Sequence, residues 1–360
     1  MGGPALIRAA AKNHRSVTVL TDPSQYAGFE AALSQGTLEL IRYDLAKSAL
    51  EATARYDLSI LRSMSTPLRY GENPHQDGSV AGARGVAGVT LIQGAQLSFN
   101  NYLDIDCATL IASDHSLRTT VIVKHGAPCG VASDNDPHKS FLKALESDSI
   151  SAFGGVIATN FEVDEKLANE IISGFYEVLV APSYSSAALS LLAQRKKMRV
   201  LVLEKRESQT LSMREINGGF LFQSFDAIES SSTWKIVSGA IADEKSRADL
   251  EFAWRCVART RSNAIVIAKN LATVGIGMGE VSRVAAAKNA LARAGDKARS
   301  AVAASDGFFP FPDGLEILAQ AGVKAIIAPQ GSIRDEEIIT AAKRLGITLY
   351  FAANRHFSHN

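Results

Sequence analysis

The chain has almost no cysteine. Cys107, Cys129 and Cys256 are odd in number and widely spaced, which excludes a disulfide framework and fits a reducing cytoplasm. No apolar run approaches the roughly 20 residues that a bilayer-spanning helix needs, and the N-terminus has no charged start followed by an apolar core. Neither a membrane span nor a signal peptide is expected. Charge of one sign is also missing: 38 Lys and Arg against 37 Asp and Glu leave a formal +1. Nucleic acid and membrane surfaces are therefore not expected partners, and an anionic ligand has to be held by a local cluster. What is present is ordinary globular composition. The 360 residues are 46% apolar and 21% charged, enough for two domains, each with its own core.

One stretch stands out. Val121-Ile122-Val123 reads as the end of a buried strand, Lys124-His125 follows at its tip, and Pro128-Cys129-Gly130 reads as a loop. An apolar strand that delivers an ammonium and an imidazole to its own end is a common way for α/β enzymes to present catalytic groups. Upstream, a Gly-Gly-Pro turn opens residues 1–14 into an Ala-rich helix. Ser16–Leu20 reads as a strand, Pro23–Leu33 as a helix and residues 38–63 as one long helix, a βα segment too small to be a domain. The stretch PLRYGENPHQ at 67–76 is a loop forced by Gly71 and Asn73-Pro74, projecting Arg69, Tyr70, His75 and Gln76.

Gln96–Asp106 reads as a short strand turning at Asn100-Asn101 into a helix, with Asp104 in its first turns. Gly154-Gly155, between two apolar runs, permits a close backbone approach. Strands alternate with helices through 88–204, residues 204–235 read as a polar connection, and a second α/β half begins near 247. In that half Asn263 sits where a helix passes into a strand. Gly275, Gly277 and Gly279 give G-x-G-x-G, which is not a dinucleotide fingerprint but is expected to open a helix N-terminus to a phosphate, with Arg283 adding charge. The loop SDGFFPFPDG at 305–314 holds Asp306, Phe308, Phe309, Phe311 and Asp313, an aromatic density expected of a cavity or interface. A zinc deaminase site is excluded: Pro128-Cys129 is followed by Gly130, Val131 and Ala132 without a second cysteine, and no His-x-Glu occurs.

Taken in order, LRYGENPHQ, the strand with its Lys-His tip, SAFGG, SNAIV, GIGMGEVSR, SDGFFPFPDG, GSIRDEE and the terminal RHFSH resemble the transformylase portion of the AICAR transformylase/IMP cyclohydrolase family, over roughly residues 65–360. Residues 1–14 resemble the end of that family's cyclohydrolase domain. The resemblance implies an α/β fold: a duplicated cytidine-deaminase-like α/β/α sandwich preceded by a short βα remnant. Residues 1–64 would be the remnant, 65–204 the first transformylase subdomain, 205–246 a connection and 247–360 the second subdomain. It also implies a cytoplasmic homodimer with active sites between subunits.

The implied reaction moves the formyl group of 10-formyltetrahydrofolate, the co-substrate, to the 5-amino group of AICAR, giving FAICAR in purine biosynthesis. IMP cyclohydrolase activity is expected to be absent, since Lys12 alone matches that site. No metal is expected in the chemistry, and a structural monovalent cation is compatible with the resemblance. The alternative is a catalytically impaired nucleotide-binding paralogue of the same fold.

The chemistry agrees with the residues. A weakly nucleophilic arylamine has to lose a proton as it attacks the formyl carbon, and His125 is the candidate base. Lys124 would stabilise the tetrahedral oxyanion or protonate the leaving N10, and Asn263 would orient the acceptor. By matching to the family, Arg69, Tyr70, Arg283 and Phe308 would hold the nucleotide, Asp313 the folate side and His359 the carboxamide region. His75, Asn101, Asp104 and Gly154 complete the expected binding set. Four positions depart from the common pattern: Ala127 for Asn, Glu280 for Gln, Gln330 for Gly, and Asn354 for a smaller or apolar residue.

Overall fold

The computed structural model describes residues Gly3–His359. Met1 and Gly2 of the expected opening turn, and Asn360 of the tail, lie outside the described residues. The chain divides into two units: residues 1–68 with 77–82, and residues 69–76 with 83–360.

The first unit is helical: α1 (Gly3–Lys12), α2 (Tyr26–Gln35) and α3 (Leu38–Ser63), followed by a two-residue pairing of β1 (Thr66–Pro67) with β2 (Ser79–Val80). Its buried cluster is small, Ala11, Ala46 and Ala49 with Ile7 and Val19 against them. The expected strand at Ser16–Leu20 is absent, and with it the βα remnant. Arg42 instead ties this extended segment to α3, donating to Thr18 Oγ1 and Arg15 O. Alternating β-branched residues favour extension, but a strand requires a neighbour with which to share its ladder, and none is there among the described residues.

The second unit contains two six-stranded sheets and one free-standing hairpin. The first sheet is built from β3 (Thr90–Gln93), α4 (Phe99–Ser113), β4 (Thr119–Lys124), β5 (Ala127–Ser133), α5 (Pro137–Ser147), β6 (Val156–Thr159), α6 (Glu165–Ser173), β7 (Val178–Ala181), α7 (Ser186–Leu192) and β8 (Arg199–Val202). The expected polar connection is partly regular, since β9 (Leu211–Ile216) and β10 (Gly219–Ser224) pair antiparallel. The second sheet follows with β11 (Lys235–Ser238), α8 (Glu244–Ala258), β12 (Ile265–Ala268), β13 (Thr273–Gly277), α9 (Arg283–Ala294), β14 (Val302–Ser305), α10 (Asp313–Gln320), β15 (Ala325–Pro329), α11 (Asp335–Leu345) and β16 (Thr348–Ala352).

The two sheets share one topology. Their orders are β3-β8-β7-β6-β4-β5 and β11-β16-β15-β14-β12-β13, the same permutation of six successive strands. In both, the second and third pairs of the order are parallel and the other three antiparallel. This is a duplicated mixed α/β architecture. Both faces of the strands are covered, which is why they read as unbroken apolar runs. Val121 and Val123 pack with Val266, α4 and α8 in a cluster shared by the halves, whereas Ile122 faces α5 to α7 and Ile265 and Ile267 face α9 to α11.

Two further expectations are corrected here. Gln96–Asn101 contains no strand: Ser98 caps α4, its hydroxyl accepting from Asn101 N while the Asn101 side chain accepts from Ser98 N. Pro128-Cys129-Gly130 is not a loop but part of β5. Proline is tolerated there because β5 is the edge strand of its sheet and the register shifts beside it. Glycine is needed at 130 because a Cβ would stand 2.9 Å from Ser147 Cβ and nearer still to Ala144 O.

Candidate active site

The turn after β4 comprises His125 and Gly126, with φ of 55° and 68°. Two residues with positive φ make the tight hairpin connection whose twist matches a β-ribbon, and the second is glycine for that reason. The turn leaves two amides unpaired by the ladder, and Asp104 of α4 takes both: Gly126 N at 2.6 Å on Oδ1 and His125 N at 3.3 Å on Oδ2. Burial pushes the Asp104 carboxyl up, opposed by these two amides and by His125. Lys124 Nζ donates to Phe153 O at 2.7 Å, and Gly154, with φ 75°, donates its amide to Phe175 O. The expected close approach is at Gly155, where a Cβ would lie 3.0 Å from both Val123 O and Ala152 O.

Other candidates gather nearby. Asn101 Nδ2 donates to Glu177 Oε2 at 3.4 Å, and Arg199 lies 3.9 Å from the same carboxylate oxygen. Burial lowers the Arg199 pKa, and the Arg69 charge adds to that. The Arg69 guanidinium stands 5.3 Å from the centre of the Tyr70 ring. His75 is exposed, in a loop closed by Gly71 N on Gln76 O and by Asn73 on the Gln76 side chain. Glu177 and Arg199 were not expected from the sequence. The available signal was a charged residue at the start of each buried strand, Glu177 immediately before β7 and Arg199 as the first residue of β8.

A second group forms in the other half. Asn263 donates its backbone amide and Nδ2 to Glu280 O at 3.1 and 2.7 Å and accepts Arg283 from 2.9 Å on Oδ1. Arg283 is 6% exposed, ion-paired with the fully buried Asp306 and bonded to Ala264 O; among the described residues its Nε has no partner. Its guanidinium is thus largely committed within the fold. Gly275 and Gly277 do not open a phosphate cradle: a Cβ at either would strike the backbone of α9, so they allow the helix to lie close on β13. The aromatic loop divides, with Phe309 buried in the core, Phe308 half-buried and Phe311 exposed beneath the Arg334 guanidinium at 4.6 Å. Asp313 is exposed at the start of α10. The C-terminal segment is held in place, with Ser262 N on Ser358 O and His356 N on Asp306 O; His359 is exposed, its ring 5.9 Å from that of Phe357.

No hydrogen bond or ion pair among the described residues joins the two groups. They do share one side of the seam between the halves. Ala132 of β5 bridges antiparallel to Ala272, so the Lys124 end of the first half faces the 276–278 end of the second. A cavity of about 400 Å³ lies there, lined by Lys124, His125, Cys129, Ile276, Met278 and Arg293 among others. Burial pushes the Cys129 thiol up to about 11, which makes it a poor nucleophile. No group of His, Cys, Asp and Glu suited to a metal ion occurs among the described residues.

A duplicated α/β scaffold that presents a Lys-His turn beside a seam cavity has the form of a group-transfer enzyme. A sequence profile described as AICARFT/IMPCHase bienzyme matches residues 10–293. Proteins named bifunctional purine biosynthesis protein PurH match the whole chain and 75% of their own length: that of Corynebacterium glutamicum is 42% identical over 391 residues, that of Mycobacterium marinum 44% over 395. The chain belongs to the AICARFT/IMPCHase bienzyme family.

Proposed function

We propose that this chain is the AICAR formyltransferase of purine biosynthesis, transferring the formyl group of 10-formyltetrahydrofolate to the 5-amino group of AICAR. The observation that carries the reading is the Lys124–His125 turn, built on a rigid strand end in a chain 42–44% identical to PurH proteins. The amine nitrogen of AICAR attacks the formyl carbon while His125 takes its proton. Lys124 spends one N–H on Phe153 O and keeps two for the oxyanion and for N10, which needs a proton as the C–N10 bond breaks. FAICAR and tetrahydrofolate leave.

Asn263, fixed by Glu280 O and Arg283, orients the acceptor. Arg69, Tyr70, Arg283 and Phe308 hold the nucleotide, Asp313 contacts the folate side and His359 the carboxamide region, and His75, Asn101 and Gly154 complete the binding set. Residues 65–204 and 247–360 are the two transformylase subdomains, of the cytidine-deaminase-like type, joined through 205–246. The protein works in the cytoplasm; no helix of the described residues is long and apolar enough to cross a membrane.

A homodimer with active sites between subunits accounts for the exposed apolar side chains around the site. Phe153 and Phe175 stack at 4.9 Å beside Lys124 yet are 63% and 50% exposed. The β9–β10 hairpin exposes Leu211, Met213 and Phe222 on one face and Leu221 on the other. A two-stranded hairpin with an uncovered apolar face is marginal in water, and a second copy would cover it.

A structural monovalent cation fits at Asp306. In the first half the corresponding residue is Asn160, whose amide oxygen accepts Thr119 N as Asp306 accepts Ala264 N. Asn160 Nδ2 also serves the carbonyls of Ala112, His115 and Leu117. Asp306 has no N–H to offer carbonyls at the corresponding places, those of Val257, Thr260 and Ser262, the first of which already accepts Thr260 N at 3.1 Å. A cation would take the remaining lone pairs of such carbonyls.

The test is a spectrophotometric formyl-transfer assay with AICAR and 10-formyltetrahydrofolate, run beside Lys124→Ala and His125→Ala. Each variant should lose roughly 10²- to 10⁴-fold in kcat. FAICAR and IMP are quantified separately, so ring closure is scored on its own. A folded wild-type protein that binds AICAR but transfers no formyl group would instead be the binding paralogue.

A further inference from the structure

We propose that Asp104 is a positioning residue for the Lys124–His125 turn rather than a substrate ligand, and that Asp249 is its non-catalytic twin. The internal duplication supports this. Asp104 and Asp249 are each the sixth residue of a 15-residue helix, α4 and α8. Asp249 takes Asn270 N at 3.0 Å and Leu271 N at 2.7 Å, as Asp104 takes His125 N and Gly126 N. Asn270 and Leu271 also have positive φ, 56° and 57°. Even the preceding lysine repeats, with Lys269 Nζ on Arg299 O at 2.8 Å and Lys124 Nζ on Phe153 O at 2.7 Å.

What differs is what else holds each turn. The second turn is built into the fold: Leu271 O accepts Ser133 N at 2.8 Å and Asn270 O accepts Lys143 Nζ at 3.2 Å. The first turn is exposed at its tip, and among the described residues its further hold beyond Asp104 is the weak contact of Cys107 Sγ with Gly126 O at 3.6 Å. Two amides in a tight turn need an acceptor when water is excluded, and one carboxylate supplies both oxygens. With both oxygens used and 9% exposure, Asp104 has little left for a substrate.

The inference rests on Lys124 and His125 carrying the formyl transfer. Its test uses Asp104→Asn and Asp249→Asn in the full chain. Asparagine keeps one acceptor oxygen and turns an N–H donor toward the second amide. For Asp104→Asn, AICAR should bind with unchanged stoichiometry and a Kd within twofold by calorimetry, while the single-turnover rate falls about 100-fold, the cost of a misplacement near 1 Å. Amide exchange at His125 and Gly126 should speed up. For Asp249→Asn, formyl transfer should stay within twofold while the melting temperature drops. If Asp104→Asn does not fold, Asp104→Ser, which leaves room for water, must show the same split. A tenfold weaker AICAR Kd with the rate retained would make Asp104 a substrate ligand and overturn the inference. So would equal rate losses in the two Asn variants. If the wild type itself fails to transfer formyl, the function reading fails, and amide exchange alone decides whether Asp104 holds the turn.

Discussion

Gly130→Ala puts the strand–helix packing beneath the candidate active site to a direct test. The new Cβ would lie 2.9 Å from Ser147 Cβ and closer still to Ala144 O, both on α5. Ordinary carbon contacts need about 3.5 Å or more, so α5 and β5 have to part by roughly 1 Å. The obstacle is helix backbone, which cannot rotate away as a side chain would. Overpacking of this kind costs about 3 kcal/mol, at the upper end of the usual range. For a unit of this size that lowers the melting temperature by roughly 5 °C. Because β5 pairs with β4 along its length, Lys124 moves as well, and kcat should fall by up to about 100-fold.

Gly126→Ala is the contrast. Nothing lies within 4 Å of its Cβ, so only the φ of 68° is penalised, by about 1–2 kcal/mol. Gly275→Ala, with Ala294 Cβ at 2.9 Å and the Ala290 carbonyl nearer, should melt like Gly130→Ala. Differential scanning fluorimetry beside the formyl-transfer assay reads all three variants. A Gly130→Ala protein that melts within 2 °C of wild type, or above Gly126→Ala, would refute the packing argument.

Two other outcomes are expected. His115 is buried beside Phe252 and Cys256, and burial, with Arg255 adding to it, pushes its pKa down from 6.5 to about 3. Above pH 6.5 the ring is neutral folded or unfolded and adds no slope. Between 6.5 and about 3 only the unfolded chain takes the proton, so stability falls by about 1.4 kcal/mol per pH unit. His115→Leu should flatten that part of the urea-denaturation profile, and an unchanged slope would contradict it. Asp306→Asn leaves the Arg283 guanidinium buried without its counter-charge and should cost about 3–5 kcal/mol in the same measurement. If a monovalent cation sits at Asp306, the variant also loses any difference in melting between potassium and tetramethylammonium buffers; a retained difference argues against that placement.

The sequence made most of the second unit legible because its strands are buried on both faces. Val121-Ile122-Val123 and Ala264–Ile267 have no other reasonable reading, and residues 38–63 form the long helix expected of them. The misreadings share a physical cause: they concern residues whose conformation depends on a partner distant in sequence. Ser16–Leu20 has strand chemistry without a neighbour. Pro128 looks like a strand breaker until β5 is known to be an edge. The glycines at 275 and 277 resemble a phosphate loop until α9 is seen lying against them. The duplication was expected only from the family resemblance, since corresponding positions such as His125 and Asn270, or Asn160 and Asp306, differ in residue type while occupying the same place in the fold.

Those differences explain why the candidate residues collect on one side of the seam. Each half has two equivalent ends, one at the hairpin turn after its second strand and one where that strand begins. In the first half the beginning is closed, with Asn160 bonding three carbonyls, and the turn with Lys124 and His125 stands open. In the second half the turn is closed by Ser133 and Lys143 from its neighbour, while the beginning carries Asn263, Arg283 and Asp306. Because β5 and β13 meet antiparallel, the open end of one half faces the open end of the other. The fold holds two copies of one scaffold. Opposite closures at the two ends put the polar groups of both halves on one face, where the proposed transfer needs His125 as base and Asn263 to orient the acceptor.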